Sequence, residues 1–469
     1  MKNVTNVLAG VVVIVGLLPG SGACFDSGST GADGDFNPQV NTEVQLPPNG
    51  VLNYRSVNIP VGVTVRFKRN ATNTPVTMLV AGDVVIAGTI NLDGEAGPAT
   101  GPVAGNSDPT DDGLPGKGGP GGYDGGYGGL PTPPYKGGKG LGPGGGGEGN
   151  GGSGGGAGHA SVGGVNHTFP HGSGGIPYGT EQLLPLIGGS GGGGGSSPGY
   201  QQGGGGGGGG GAIQIAATGT VMITGSVSAA GGDESPSNHV YGGAGSGGAI
   251  KIVATTISGR GTISAIGGRG TRTSSGGGGS GSAGRIRLEA DHFVGVGSSD
   301  PAYTFGLPGP VFLTGQPALR FSTIAGIPVP QEPTGSNDLT IPTTTANPVT
   351  LALATSGIPP GSVIKVTVIP RFGQAVSLDS PPTAGTVATA TTSVSMDIPG
   401  GHNVLSAETT YTVIASVGDS LSRFAQGERV EKITLSSTLG KGSQATLHTP
   451  SGREFPIEPA LLALAALPY

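Results

Sequence analysis

Nine consecutive glycines, Gly203 to Gly211, close a stretch from which no ordinary core can be built. Residues 101–290 hold 70 of the 101 glycines in this 469-residue chain, and a residue without a side chain brings no apolar area to an interior. Ordering such a run has a high conformational-entropy cost. Two outcomes are open to it. It stays a flexible loop, or runs such as Gly121-Gly-Tyr123, Gly125-Gly-Tyr127 and Gly128-Gly-Leu130 lie as extended three-per-turn helices packed side by side. The second is physically allowed because backbones without Cβ atoms can approach and hydrogen-bond to one another. No strict G-x-y period exists, which argues against collagen.

A repeat runs through the same region. Val76 to Gly94 superposes without a gap on Ile213 to Gly231: Met78 on Ile215, Gly82 on Gly219, Ile86 on Ile223, Gly88 on Gly225 and Ile90 on Val227. Further copies open at Ile250-Lys-Ile-Val-Ala and Ile286-Arg-Leu-Glu-Ala. Each unit is apolar-x-apolar, a turn, apolar-x-apolar-x-Gly, then apolar-x-small. Period two means strands, and a unit that buries one row of side chains cannot do so alone, so the copies must stack. The fold class expected is all-β: a right-handed parallel β-solenoid with long Gly-rich loops, followed by an immunoglobulin-like β-sandwich. An antiparallel sandwich of similar hairpins is the alternative.

On these strand openings, residues 41–296 resemble Gly-rich β-solenoid surface proteins and lipoproteins of Gram-negative bacteria. By composition alone, the glycine runs resemble the polyglycine lattices of some phage adhesins and of a glycine-rich antifreeze protein.

Residues 1–23 read as a signal peptide. Lys2 is followed by an apolar stretch, Val4 to Leu18, too short to span a bilayer comfortably, and then by small residues to Ala23. Cys24, the only cysteine, comes directly after it, and Ser21-Gly22-Ala23-Cys24 resembles the lipobox of bacterial lipoproteins without its usual Leu. Cys24 is therefore the expected lipid attachment site, with a plain secreted protein as the alternative. One cysteine allows no disulfide within the chain. The expected divisions are a flexible tether over 24–40, the Gly-rich β-solenoid over 41–300 with a long insertion at 95–212, a linker over 301–337 and the β-sandwich over 338–469. Short strands at Val349, Val363, Val394 and Thr410, punctuated by Pro and Gly, support the last of these.

The search for chemistry finds little. A net charge of −6 leaves no basic field for phosphates, so nucleic acid is not an expected partner. Parallel β-solenoids host polysaccharide lyases and hydrolases, which need clustered acids or acids beside a Lys or Arg base. Asp83 and Asp93 are matched in the next copy by Thr220 and Ala230, so they read as turn residues. Lys251, Arg285 and Arg287 alternate along strands and read as decoration of the outer face. His159, His167 and His171 read as exposed loop histidines. No cofactor is expected beyond calcium at the acidic turn Asp108, Asp111 and Asp112. Gly119-Pro-Gly-Gly-Tyr-Asp124 only approaches a calcium-binding nonapeptide.

Tyrosines on small-residue loops can form adaptable binding surfaces. Tyr123, Tyr127, Tyr135, Tyr178, Tyr200 and Tyr241 are the candidate ligand-binding residues, with packing of the loops as their alternative role. The function expected is that of an exported, lipid-anchored structural or adhesive protein without catalytic activity, on the outer membrane or cell surface or else extracellular. Its partners would be the membrane, through the lipid, and surface polysaccharide or other cells. A β-helix polysaccharide lyase or hydrolase is the alternative, and an ice- or surface-binding lattice a third reading, should the glycine runs prove ordered.

Overall fold

The computed structural model describes residues 25–70, 73–100, 112–165, 171–235, 240–270, 277–312, 317–329, 339–371, 374–425, 427–439, 444–457, 459 and 462. The leader and Cys24 lie outside these, as do Asp108, Asp111, His167 and nearly all of the apolar stretch 460–467.

The chain is all-β: parallel sheets first, antiparallel sheets at the C-terminal end. The sequence repeat is the sheet register. Met78 pairs with Ile215, Ile86 with Ile223 and Ile90 with Val227, all at the same offset as the superposition. Ile250 pairs with Ile213 and Ile286 with Ile250. This is a β-solenoid-like stack of repeats. Its interior is a ladder of Ile, Val and Leu, among them Ile59, Ile86, Ile215, Ile252 and Leu288. Burying each such side chain is worth roughly 1.5–3 kcal/mol. The turn aspartates tie one repeat to the next: Asp83 Oδ1 accepts from Thr220 N at 2.7 Å and Asp93 Oδ1 from Ala230 N at 2.7 Å, the residues that replace them in the next copy.

Residues 25–40, expected as a tether, are instead held against this stack. Ser27 Oγ donates to the Val80 carbonyl at 2.8 Å, Ser29 Oγ to that of Tyr54 at 2.8 Å, and Asp35–Phe36 pairs in parallel with Ser56–Ile59. Each serine hydroxyl thus adds a bond to a carbonyl at the end of a strand, and that of Tyr54 also accepts from Ala81 N at 3.0 Å. The expected linker is likewise partly sheet. Thr304–Gly306 pairs with Arg287 to Glu289, and Ala318–Ile324 joins the antiparallel part by pairing with Val349–Ser356.

The C-terminal part holds a five-stranded and a six-stranded antiparallel sheet. Their apolar faces meet around Leu351, Leu353, Val366, Val368, Leu405, Ile433 and Leu435. A short helix, Ala415–Leu421, lies between two strands of the larger sheet.

The described part of the glycine insertion is ordered. Among the described residues, its runs and those between the later repeats form fourteen extended segments, hydrogen-bonded in four layers of three, four, four and three. The first layer is 92–97, 229–235 and 265–270; the second is 113–119, 203–211, 240–248 and 277–284. The third holds 122–129, 188–197, 152–158 and 161–165, and the fourth 137–141, 144–149 and 171–178. The period is three. Gly203, Gly206 and Gly209 donate to Gly129, Gly126 and Tyr123; Gly204, Gly207 and Gly210 donate to Val240, Gly243 and Ser246; Gly208 and Gly211 donate to Glu95 and Leu92. Every third N–H thus points to the same neighbour, as an extended helix of three residues per turn requires. Segments 152–158, 188–197, 203–211 and 240–248 each bond to six neighbours, which is hexagonal packing. The entropy cost of ordering glycine is offset by backbone hydrogen bonds in all directions, each worth about 1 kcal/mol net.

Candidate functional site: the loop-bearing end of the glycine lattice

Segments 203–211, 240–248 and 277–284 run without a break into the strands Ala212–Ile223, Ala249–Ser258 and Arg285–Val294. That end of the lattice is fixed to the repeats. The turns at 119–122, 142–145 and 158–161 lie there too. The far end collects the turns at 130–136, 150–151 and 197–202. They are held together by backbone bonds: Ser197 N donates to Tyr135 O at 2.7 Å, Ser196 N to Gly152 O at 2.9 Å and Gly203 N to Gly129 O at 2.9 Å. Ser197 Oγ closes its own turn by donating to Gln201 O at 2.6 Å and accepting from Gly199 N at 2.9 Å. Gly199 has φ +98, which allows that turn.

The six candidate tyrosines divide between the two ends. Tyr200, 68 % exposed, and Tyr135 stand on adjacent far-end turns, with Leu130 at the start of the turn that carries Tyr135. Tyr127, 63 % exposed, sits on an edge segment of the lattice, and Tyr241 is half-buried near the far end. Tyr123 and Tyr178 are different. Both sit at the near end, where they pack with the apolar cluster of the C-terminal sheets. Tyr178 is buried and cannot face a ligand; its hydroxyl donates to the Gly188 carbonyl at 2.6 Å and accepts from Ser190 Oγ at 3.0 Å. Burial pushes its phenol well above the ordinary range.

Tyr178 stacks on His159, ring centroids 4.5 Å apart. His159 was expected on the surface and is wholly buried. Its Nδ1 bonds to the Gly247 carbonyl at 2.7 Å, so Nδ1 carries the proton and Nε2, which has no partner among the described residues, is the bare nitrogen. Burial, aided by the nearby Arg285 guanidinium and only partly opposed by the Gly247 bond, lowers its pKa to about 4. His171 is exposed. Among the described residues no group of three or more His, Cys, Asp or Glu is placed to hold a metal. The Asp124 carboxylate is engaged by Arg69 and by the Gly118 N–H at 2.8 Å.

Lys251 is not on the surface either. It is 1 % exposed, beneath the chain that crosses the outer face of the parallel sheet after Gly306. Sequence reasoning missed this ionic cluster, although the column Gln214, Lys251, Arg287 follows from the repeat offsets. What hid it was the returning segment, which carries no periodic signal.

Comparison with protein-family models, with curated proteins and with solved structures finds no match.

Proposed function

We propose that this is an exported, lipid-anchored surface protein, structural or adhesive and without catalytic activity, that contacts polysaccharide or other cells through the far-end turns of its glycine lattice. The parallel part is read as a right-handed β-solenoid and the C-terminal part as an immunoglobulin-like module. The observation that carries the reading is the gathering of Tyr135, Tyr200 and Leu130, exposed, on turns locked to one end of a hydrogen-bonded scaffold. Binding surfaces are commonly built from loops that a rigid framework positions, with tyrosine supplying large contact area at low entropic cost. The ionic column of the parallel sheet lies under Gly309 and Val311, out of reach of a polymer substrate.

The test incubates the purified mature chain with a polysaccharide panel and with whole cells, recording bound protein and released sugar together. Binding without sugar release is expected. Sugar release would replace this reading by that of a β-helix lyase or hydrolase.

A further inference from the structure

Gln214, Lys251 and Arg287 are register partners on three successive parallel strands, so their side chains form a ladder on the outer face with rungs about 4.8 Å apart. Glu289, two residues beyond Arg287, shares that face. The returning segment closes over them: Gly309 N donates to Glu289 Oε2 at 3.1 Å, and Gln214 Nε2 donates to the Val311 carbonyl at 2.9 Å. Lys251 Nζ lies 3.4 Å from Glu289 Oε2, and Arg287 Nε donates to Glu289 Oε1 at 3.0 Å. Leu79, Ala216, Val253 and Val311 make an apolar patch beside them.

Two features set this cluster apart from an ordinary buried ion pair. Gln214 is 3 % exposed, and its Oε1 has no hydrogen-bond partner among the described residues, a cost that native interiors seldom carry without a use. Desolvation also outweighs the attraction of Glu289 and lowers the Lys251 pKa, which favours a neutral amine at this buried position. An amine, a proton acceptor and an amide carbonyl on neighbouring rungs are the reactants for forming a new amide.

We propose that Lys251 and Gln214 become joined by an intramolecular amide bond, an ε-(γ-glutamyl)lysine cross-link between adjacent repeats, with Glu289 carrying the proton. The Glu289 carboxylate takes a proton from the Lys251 ammonium. The freed Nζ lone pair attacks Gln214 Cδ, forming the C–N bond while the carbonyl π pair moves onto Oε1. As the carbonyl re-forms, the Cδ–Nε2 bond breaks and its pair leaves with the nitrogen, which receives the second Nζ proton. Ammonia departs, taking up the proton held on Glu289. Atoms and charge balance, and no oxidant or co-reactant is needed. The bond would staple two repeats directly beside the point where the glycine lattice enters them. It does not depend on the adhesive reading.

Peptide mass spectrometry on the digested full chain tests it. The expected result is one branched species whose mass is that of the Gln214 and Lys251 peptides less one ammonia. Lys251→Arg and Glu289→Gln should return the two peptides separately. Recovery of both peptides unlinked from the unsubstituted protein overturns the proposal, as does a Lys251–Glu289 link formed with loss of water. A persistent link in Glu289→Gln overturns the role given to Glu289. Because the unsubstituted protein is decisive alone, a variant that fails to fold does not rescue the idea.

Discussion

Gly206 is the position where the lattice can be tested most severely. It sits in an enclosed segment, where its N–H donates to Gly126 O at 2.8 Å and its carbonyl accepts from Gly116 N at 2.9 Å. A Cβ placed on it would lie 2.6 Å from the Gly192 carbonyl carbon and closer still to its oxygen, both backbone atoms that no rotamer change can move. Ordinary contact begins at 3.4 Å, so segments 203–211 and 188–197 must separate by at least 3.4 − 2.6 = 0.8 Å. That opens the Gly192–Gly207 bond of 2.9 Å and strains the two made by Gly206. Three bonds at about 1 kcal/mol each, with buried groups left unsatisfied, give a loss of roughly 3–5 kcal/mol. Against it, alanine restricts the unfolded chain and returns about 0.4–1 kcal/mol. Gly206→Ala is therefore expected to destabilise by roughly 2–4 kcal/mol. Gly400→Ala, whose new methyl group would meet no described atom within 4 Å beyond its own chain neighbours, is the control and should be neutral or slightly stabilising. Chemical denaturation gives the stability difference, and hydrogen exchange at residues 203–211 shows whether the lattice is its origin. If Gly206→Ala matches the control and those amides stay protected, the hexagonal packing argument is wrong.

Acid should weaken the near end of the lattice. The folded-state pKa of His159 lies below the ordinary value of 6.5, at about 4, so between these pH values the unfolded chain binds a proton that the folded chain refuses. Stability from this group is full above pH 6.5, falls by about 1.4 kcal/mol per unit, and levels off near pH 4 after a loss of roughly 3 kcal/mol. Denaturation at pH 7 and pH 4.5 should show the slope in the natural protein and not in His159→Gln. Tyr200→Ala and Tyr135→Ala should cut adsorption to a bound polysaccharide or cell surface with little change in melting temperature, because neither residue belongs to a buried core, Tyr200 being 68 % and Tyr135 40 % exposed. Loss of binding with a matching fall in melting temperature would point to packing instead. Ile215→Ala, in the buried ladder of the parallel sheet, should cost roughly 2–5 kcal/mol by denaturation and would contradict the core assignment if neutral.

The parallel repeat was legible because its signal is local and repeated. Met78, Ile215 and Ile252 each sit at an alternating apolar position, and stacking identical units fixes their register without further information. The glycine lattice was legible only as one of two outcomes. Polyglycine looks the same in sequence whether its backbone bonds to water or to other segments, and the choice depends on how many segments the neighbouring repeats bring together. His159 was misread for a related reason, while Tyr178 takes the packing role that stood beside ligand binding. A polar ring between glycines looks exposed until layers of bare backbone cover it. The burial of Lys251 came from a segment near residue 309, whose path across the sheet no pattern announces.

The period of three in the lattice has a consequence for length variation. Adding or removing one glycine inside segment 203–211 turns everything beyond it by a third of a revolution, so each N–H aimed at Gly126 or Gly243 would face a different neighbour. A change of three residues preserves every direction and only slides the segment by one turn, about 9 Å, lengthening or shortening the far-end loop. Insertions and deletions in these runs should therefore be tolerated in triplets of residues. The reach of the turns bearing Tyr135 and Tyr200 can then change in fixed steps while the scaffold beneath them keeps its hydrogen bonds.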